Sequence, residues 1–257
     1  MKKILFEDMS PAELAEEIRM TGRVYLPVGS MEWHGPHLGM GTDTLNAHAV
    51  ALEVSKTIGG VVFPPLYIGT ETYRKPESLV RIGFHEDDKI IGMDFPKNLF
   101  KSMYWPPELF ETILETQIQM LCRMGFRQVV ILNGHAAPIQ KEILERLGEK
   151  LSVEKQTQVM PITVLFPGCG AGLGHAGLVE TAVMQYVRKD SVRLDALPPK
   201  PHKLYYLDWG IADGGGSDTD FSVRYDPRDA TAELGKKVTD YAVKQCAELI
   251  LEAQKRL

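Results

Sequence analysis

Seventeen residues, "PVGSMEWHGPHLGMGTD" (27–43), hold Glu32, His34, His37 and Asp43 with no other charged side chain between them. Imidazoles and carboxylates at this density are the donor set of a Zn, Mn or Fe site. No cysteine stands among them, which argues against a structural zinc. Two further segments extend the set: "NGHAAP" (133–138) supplies His135, and "GLGHAGLVE" (172–180) supplies His175 and Glu180. Four of the seven histidines therefore lie in Gly-rich stretches, each near a carboxylate or a glycine turn. Glu32 and His34 are two apart, so in extended backbone they project to the same side. Asp43, at or near a helix start, can aim its carboxylate back toward the loop. With more than three candidate ligands, two ions sharing one carboxylate become possible. Plainer readings exist for each residue alone: Asp43 as a helix cap, and Asn-Gly as a common turn. His48 and His202 read as structural or surface groups, and His85 as surface or substrate-facing.

These donors need a scaffold that brings them to one rim. "SPAELAEEI" (10–18) predicts a helix with Ser10 as cap, Pro11 first and Glu13 closing a capping box. Apolar runs at 23–29, 61–69, 127–132 and 157–166 read as strands. Helical spacing covers 42–60, capped by Thr42 or Asp43 and stopped at Gly59-Gly60. It also covers 107–125, the segment after Ala137, 178–187 and 229–256. Strands alternating with helices of ten or more residues predict an α/β fold: a three-layer sandwich with a mostly parallel central sheet and helices on both faces. One domain, 1–257, is the expectation, because no repeat or linker divides the chain. In such sheets ligands bind beyond the carboxyl ends of the strands. The segments after 29, 132 and 166 leave those ends, and they carry all seven candidates. Residues 70–107 show no period, and 207–223 is Gly-rich and loop-like; so long an irregular stretch as 70–107 is usually functional or oligomer-forming.

Composition narrows the partners. A net charge of −5 gives no attraction to nucleic acid or an anionic membrane surface. No apolar run nears the roughly 18 residues that span a bilayer. Cys122, Cys169 and Cys246 are odd in number and without a CxxC pair, which suits structural thiols in a reducing cytoplasm.

At the same residues the chain resembles the creatininase (creatinine amidohydrolase-like) family. The resemblance is carried by "PVGSMEWHGPHLGMGTD", "GFRQVVILNGHAA", "GHAGLVETAVM" and, more loosely, "RYDPRDATAELGKKV". It implies a two-metal centre, a homohexamer and hydrolysis of amide-like bonds. Carried over by position, Glu32, His34, Asp43 and His135 match metal ligands, with Asp43 the bridge, and His175 and Glu180 match an H-x-x-x-x-E segment beside the reacting group. Where creatininase has a glutamate ligand, two residues after the NGH histidine, this chain has Ala137, followed by Pro138. The family's Phe-Pro-Gly-Thr stretch is Phe95-Pro96-Lys97-Asn98 here. Glu180 is the expected replacement ligand for the second ion.

The expected activity is hydrolysis of a C–N bond in a small cyclic amide by a hydroxide bridging two divalent ions, Zn, Mn or Fe. His175 would stabilise the oxyanion or protonate the leaving nitrogen. The alternative is C–C ring opening of a keto-inositol, with Asp94, Lys97 and Asn98 as hydroxyl-binding groups; a non-catalytic binding protein is the third reading. Tyr104, Trp105 and Trp209 are candidate substrate walls, and 70–107, with Phe100, Tyr104 and Trp105, is expected to be buried between subunits. The expected partner is a small-molecule substrate, with no nucleic acid and no membrane.

Overall fold

Alternation along one strand sets up both layers around it. In β1 (Arg23–Val28), Val24, Leu26 and Val28 enter one apolar cluster and Tyr25 enters another. With β2 (Val61–Val62), β3 (Gln128–Asn133) and β4 (Gln158–Thr163) it forms a parallel sheet in the order β2-β1-β3-β4. Arg23, Gln128 and Gln158 stand in register at the strand starts; Val28, Asn133 and Thr163 stand in register at the ends. The computed structural model describes residues 3–166, 174–212 and 223–255.

Parallel neighbours need crossovers, and helices supply them. These are α1 (Pro11–Met20), α2 (Thr42–Ile58), α3 (Pro76–Arg81), α4 (Pro107–Arg123), α5 (Pro138–Lys155), α6 (Leu178–Val187), α7 (Tyr206–Trp209) and α8 (Ala232–Gln254). Leu14 of α1, Phe110, Leu114 and Ile118 of α4, and Ile143, Leu147 and Leu151 of α5 cover one face of the sheet. Ala47, Val50 and Val54 of α2, with Ala242, Cys246 and Ile250 of α8, cover the other. Each fully buried aliphatic chain contributes roughly 1.5–3 kcal/mol of transfer free energy, so both helical layers are tightly held. The result is the three-layer α/β arrangement that the sequence predicts. The capping box is present: Glu13 N donates to Ser10 Oγ, and Ser10 N donates to Glu13 Oε2 at 2.8 Å.

Several local expectations are corrected. The 61–69 strand is only Val61–Val62, because Pro64 and Pro65 carry no N–H for the ladder; the chain touches β1 again at Leu66. Neither Thr42 nor Asp43 caps α2: the cap position is Gly41, and both residues lie inside the first turn. Segment 70–107 contains the short α3. Thr231, not residue 229, caps the last helix. Cys122 and Cys246 are free thiols, Cys246 buried, whereas Cys169 and most of the Gly-rich 207–223 stretch lie outside the described residues.

Candidate metal centre

Two glycines make the site possible. A Cβ on Gly29, just past β1, would stand 2.7 Å from Asp43 Cβ, and one on Gly134, just past β3, 2.0 Å from the Asp43 carbonyl. Their absent side chains let the first turn of α2 settle across the ends of the two central strands. Asp43 thereby sits over the seam between them. The loop from Ser30 to Thr42 is closed by Glu32 N donating to Met40 O at 2.9 Å. After β3, Asn133 clamps the next donor: its Oδ1 accepts from His135 N at 3.1 Å, and its Nδ2 donates to His135 O at 2.6 Å. Gln140 of α5 fixes the Asn133 amide at 2.8 Å. From the opposite side, Ala176 N donates to Glu180 Oε2 at 2.5 Å. Ala176 reaches that geometry at φ 56°, a left-handed conformation costing an L residue roughly 1–2 kcal/mol.

Six side chains converge, and they sort into triads. Glu32, His34 and His175 form one set of donors lying within 4.8 Å of one another; two more are Glu32, Asp43 and His135, and His34, Asp43 and Glu180. Asp43 belongs to the last two. Its Oδ2 lies 3.1 Å from His135 Nδ1 and its Oδ1 3.1 Å from His34 Nε2, so one oxygen turns to each set. Glu32 Oε2 is 3.0 Å from His135 Nδ1, and Glu180 Oε2 is 3.7 Å from His34 Nε2. Ser30 Oγ bonds Asp43 Oδ2 and lies 3.0 Å from Glu32 Oε2. His175 stacks on His34 with ring centres 4.3 Å apart, and its Nδ1 is 3.6 Å from Glu32 Oε1. Its Nε2 lies 2.5 Å from the Trp33 carbonyl, which makes Nε2 the protonated nitrogen and leaves the Nδ1 lone pair toward the cluster.

All of this is buried, and burial sets the electrostatics. Burial pushes the Glu32 carboxyl up, but His135 and His175 outweigh it and hold Glu32 at about 2. Asp43 is likewise held well below the usual carboxylate range, against its burial, by His34 and His135. Burial opposes charge on His34, yet Asp43 and Glu180 raise it to about 10; His135 is raised for the same reason by Glu32 and Asp43. Glu180, pushed up to about 7 by burial and by Asp43 against His34, has the weakest compensation. Burial lowers His175 to about 4, so its imidazole is neutral at pH 7. Protons on His34 and His135 thus do the work of cations for three buried carboxylates. His135 Nε2 is buried with no partner among the described residues. A buried charge needs pairing or a metal. Three carboxylates among imidazoles are a donor set that fits divalent metal.

Other sequence candidates fall elsewhere. His37 is buried but joins none of the triads; its Nε2 meets Thr181 Oγ1 at 3.0 Å, and burial lowers it to about 3. Its Nε2 braces α6, while its Nδ1 is buried with no hydrogen-bond partner among the described residues. His85 and His202 are exposed, and His48 is half-buried on α2. Trp105 packs on the core, and the Trp209 carbonyl accepts from Trp33 Nε1 at 3.3 Å. Asp94 is buried and taken up by Ser102, whose N–H and hydroxyl both donate to it, while Lys97 pairs with Asp208. Tyr104, read from sequence as a wall, donates its hydroxyl to Glu32 Oε1 at 2.7 Å. Ser30 and Tyr104 had no sequence signal as partners of the cluster, since neither stands at ligand spacing.

The chain matches the family model "Creatininase: Creatinine amidohydrolase" over residues 7–250. It is 29% identical to the mycofactocin precursor peptide peptidase of Mycolicibacterium smegmatis, covering 90% of this chain and 85% of that one. It is 25% identical to the creatinine amidohydrolase of Pseudomonas putida, covering 88% of each. A 3-dehydro-scyllo-inosose hydrolase of Thermotoga maritima is 26% identical over 51% of this chain and 36% of its own. Solved creatininases, a mutant of Zn-Zn type and a Mn form, superimpose with TM-score 0.67 at 21% identity over 98% of this chain and 99% of theirs. With the family pattern running through nearly its whole length, the chain belongs to the creatininase family and is a hydrolase of that family.

Proposed function

We propose that this chain, as one unit, is a two-metal hydrolase that cleaves the C–N bond of a small amide, cyclic in the first instance. The observation that carries the reading is the sharing of Asp43 between the Glu32/His135 and His34/Glu180 sets. Glu180 stands where Ala137 leaves the second set one carboxylate short. Two ions held there, Zn, Mn or Fe, would supply Lewis acidity toward a carbonyl and an activated water. The remaining roles fall to the chain. Asp43 fixes the spacing between the two sets through its two oxygens. His175 keeps its Nε2–H on the Trp33 carbonyl, so Nδ1 can take up a proton beside the cluster and pass it to the leaving nitrogen. Both the peptidase and the creatinine-acting relative break C–N bonds, which supports an amide substrate. The keto-inositol reading draws on a shorter match, and the groups it needs are engaged: Asp94 with Ser102, Lys97 with Asp208.

We also place the protein in the cytoplasm as a homohexamer. Leu99, Phe100 and Met103 are 76%, 61% and 63% exposed on one segment, an apolar surface that suits a subunit contact. Tyr104 and Trp105, expected at that contact, turn inward instead. Among the described residues no helix is long and apolar enough to cross a membrane. The deciding experiment reloads purified protein with Zn, Mn or Fe(II) and screens lactams, formamides, short peptides and keto-inositols. About two bound ions per chain and nitrogen release support the reading. A ring-opened acid without nitrogen release moves it to C–C hydrolysis, and no bound metal after reloading ends it.

A further inference from the structure

Residues 102 to 104 are stitched onto the metal loop one by one. Ser102 Oγ accepts from Trp33 N at 2.9 Å, Met103 N donates to Met31 O at 2.8 Å, and Tyr104 donates to Glu32 Oε1 at 2.7 Å. Ser102 is itself oriented by buried Asp94, at 2.8 Å. The Tyr104 hydroxyl is fixed on its other side by Met93 N at 3.3 Å, and a Cβ on Gly92 would come within 2.6 Å of it. Its ring lies 5.8 Å from the His135 ring, centre to centre. The two oxygens of Glu32 are therefore used differently: Oε1 accepts the Tyr104 hydroxyl, with His175 Nδ1 3.6 Å away, and Oε2 faces the triad with Asp43 and His135.

That division has a coordination consequence. A carboxylate with both oxygens free can close on one cation bidentately, filling a position that catalysis needs open for water and substrate. A donor held on one oxygen removes that option. We propose that Tyr104 is a positioning residue of the metal centre: by holding Glu32 Oε1 it keeps Glu32 a one-oxygen ligand to the ion shared with Asp43 and His135. The proposal rests on the two-metal reading above. It gives segment 70–107 a role inside the subunit, as the outer support of a ligand from another loop. Partners that orient a ligand in this way are worth about tenfold to hundredfold in metal affinity.

The test is a calorimetric titration of metal-free protein with Zn2+ alone, for the natural chain and for Tyr104→Phe, which removes the hydroxyl and keeps the ring. Two ions bind the natural chain, and in the variant one of the two steps shifts by about tenfold to hundredfold, weaker where Glu32 loses its orientation and tighter where it closes on the ion with both oxygens, while the other is unchanged. Fewer than two ions on the natural chain overturns the two-metal reading and this proposal with it. Two ions on both proteins with unchanged affinities overturns the proposal alone, and so does equal weakening of both steps. Circular dichroism of the metal-free variant checks its fold. Should that fold be lost, 3-fluorotyrosine installed at position 104 keeps the donor and reports by fluorine NMR. Its resonance moves with one Zn2+ step only; a resonance unmoved by both steps overturns the proposal.

Discussion

The two ends of the same three strands bury polar side chains of opposite character. At the starts, Arg23, Gln128 and Gln158 form a head-to-tail chain: Arg23 Nε donates to Gln128 Oε1 at 2.5 Å and Gln128 Nε2 to Gln158 Oε1 at 2.5 Å. Gln158 Nε2 then donates to Ala253 O at 2.9 Å. The remaining Arg23 nitrogens reach Ile58 O and Gln254 Oε1, at 2.9 and 2.8 Å. Ile58 ends α2 and Gln254 ends α8, so the buried guanidinium faces the negative ends of two helices. None of its described hydrogen-bond partners is a carboxylate. At the strand ends the signs are reversed: Asp43 and Glu180 sit in the first turns of α2 and α6, where helix N-termini favour anions. There the carboxylates outnumber what the helices can compensate. One end is closed by hydrogen bonds among its own members; the other holds surplus negative charge beside an unpartnered His135 nitrogen. Burial of polar groups alone therefore does not mark a functional site. Unmet valence does.

The sharpest way to break the comparison is Asp43→Ala. It removes the atom pair common to both triads, so both ions should be lost and turnover should fall by about a thousandfold or more, equivalent to about 4 kcal/mol. Because Asp43 is the buried counter-charge of His34 and His135, the metal-free variant should also melt below the metal-free parent. Elemental analysis and paired melts read both effects. Next comes Glu180→Gln, which keeps the shape but empties one set. Bound metal should drop from about two ions to about one, with activity reduced by roughly a hundredfold or more. A variant that still binds two ions tightly would remove Glu180 from the ligand set. The corresponding break at the closed end is Arg23→Ala. It strands the buried Gln128 amide oxygen, while water can reach the half-buried Ile58 carbonyl and the exposed Gln254, so stability should fall by about 2 kcal/mol in urea unfolding. Metal stoichiometry should not change.

Much of this contrast can be read from the sequence, but unevenly. The helices and central strands announce themselves by periodicity and by caps such as Ser10-Pro11, and the rule about strand ends places the donors on one rim. Glu32, His34, Asp43, His135, His175 and Glu180 do meet there. Neither Thr42 nor Asp43 caps α2, because Gly29 and Gly134 let its first turn settle onto the strand ends with both residues inside it. Those glycines read as ordinary turn residues until a helix is seen lying across them. Tyr104 was invisible as a ligand support because its partner is 72 residues away and no local period links them. The Arg23-Gln128-Gln158 chain was equally silent: each residue opens a strand in which polar side chains are unremarkable, and only the register aligns them.

The finest test asks whether the two ends are independent, and Gln158→Met supplies it. Gln158 opens the edge strand β4 and is half-buried, whereas Gln128 beside it is buried. Water can therefore reach the groups that Gln158 leaves, namely the Gln128 amide hydrogen and the Ala253 carbonyl. The loss should be that of a replaceable hydrogen bond, about 1 kcal/mol. Gln128→Met removes the central link, where water cannot substitute, and should cost about twice as much, near the upper range for unsatisfied buried partners. From strand start to strand end is about 16 Å at the usual rise per residue. That is beyond the roughly 7–10 Å over which mutational effects usually couple. Neither variant should then alter Zn2+ affinity or turnover per bound ion. If Gln158→Met weakens metal binding while costing only about 1 kcal/mol of stability, the ends communicate through the sheet, and the closed network is part of the site rather than its counterpoint.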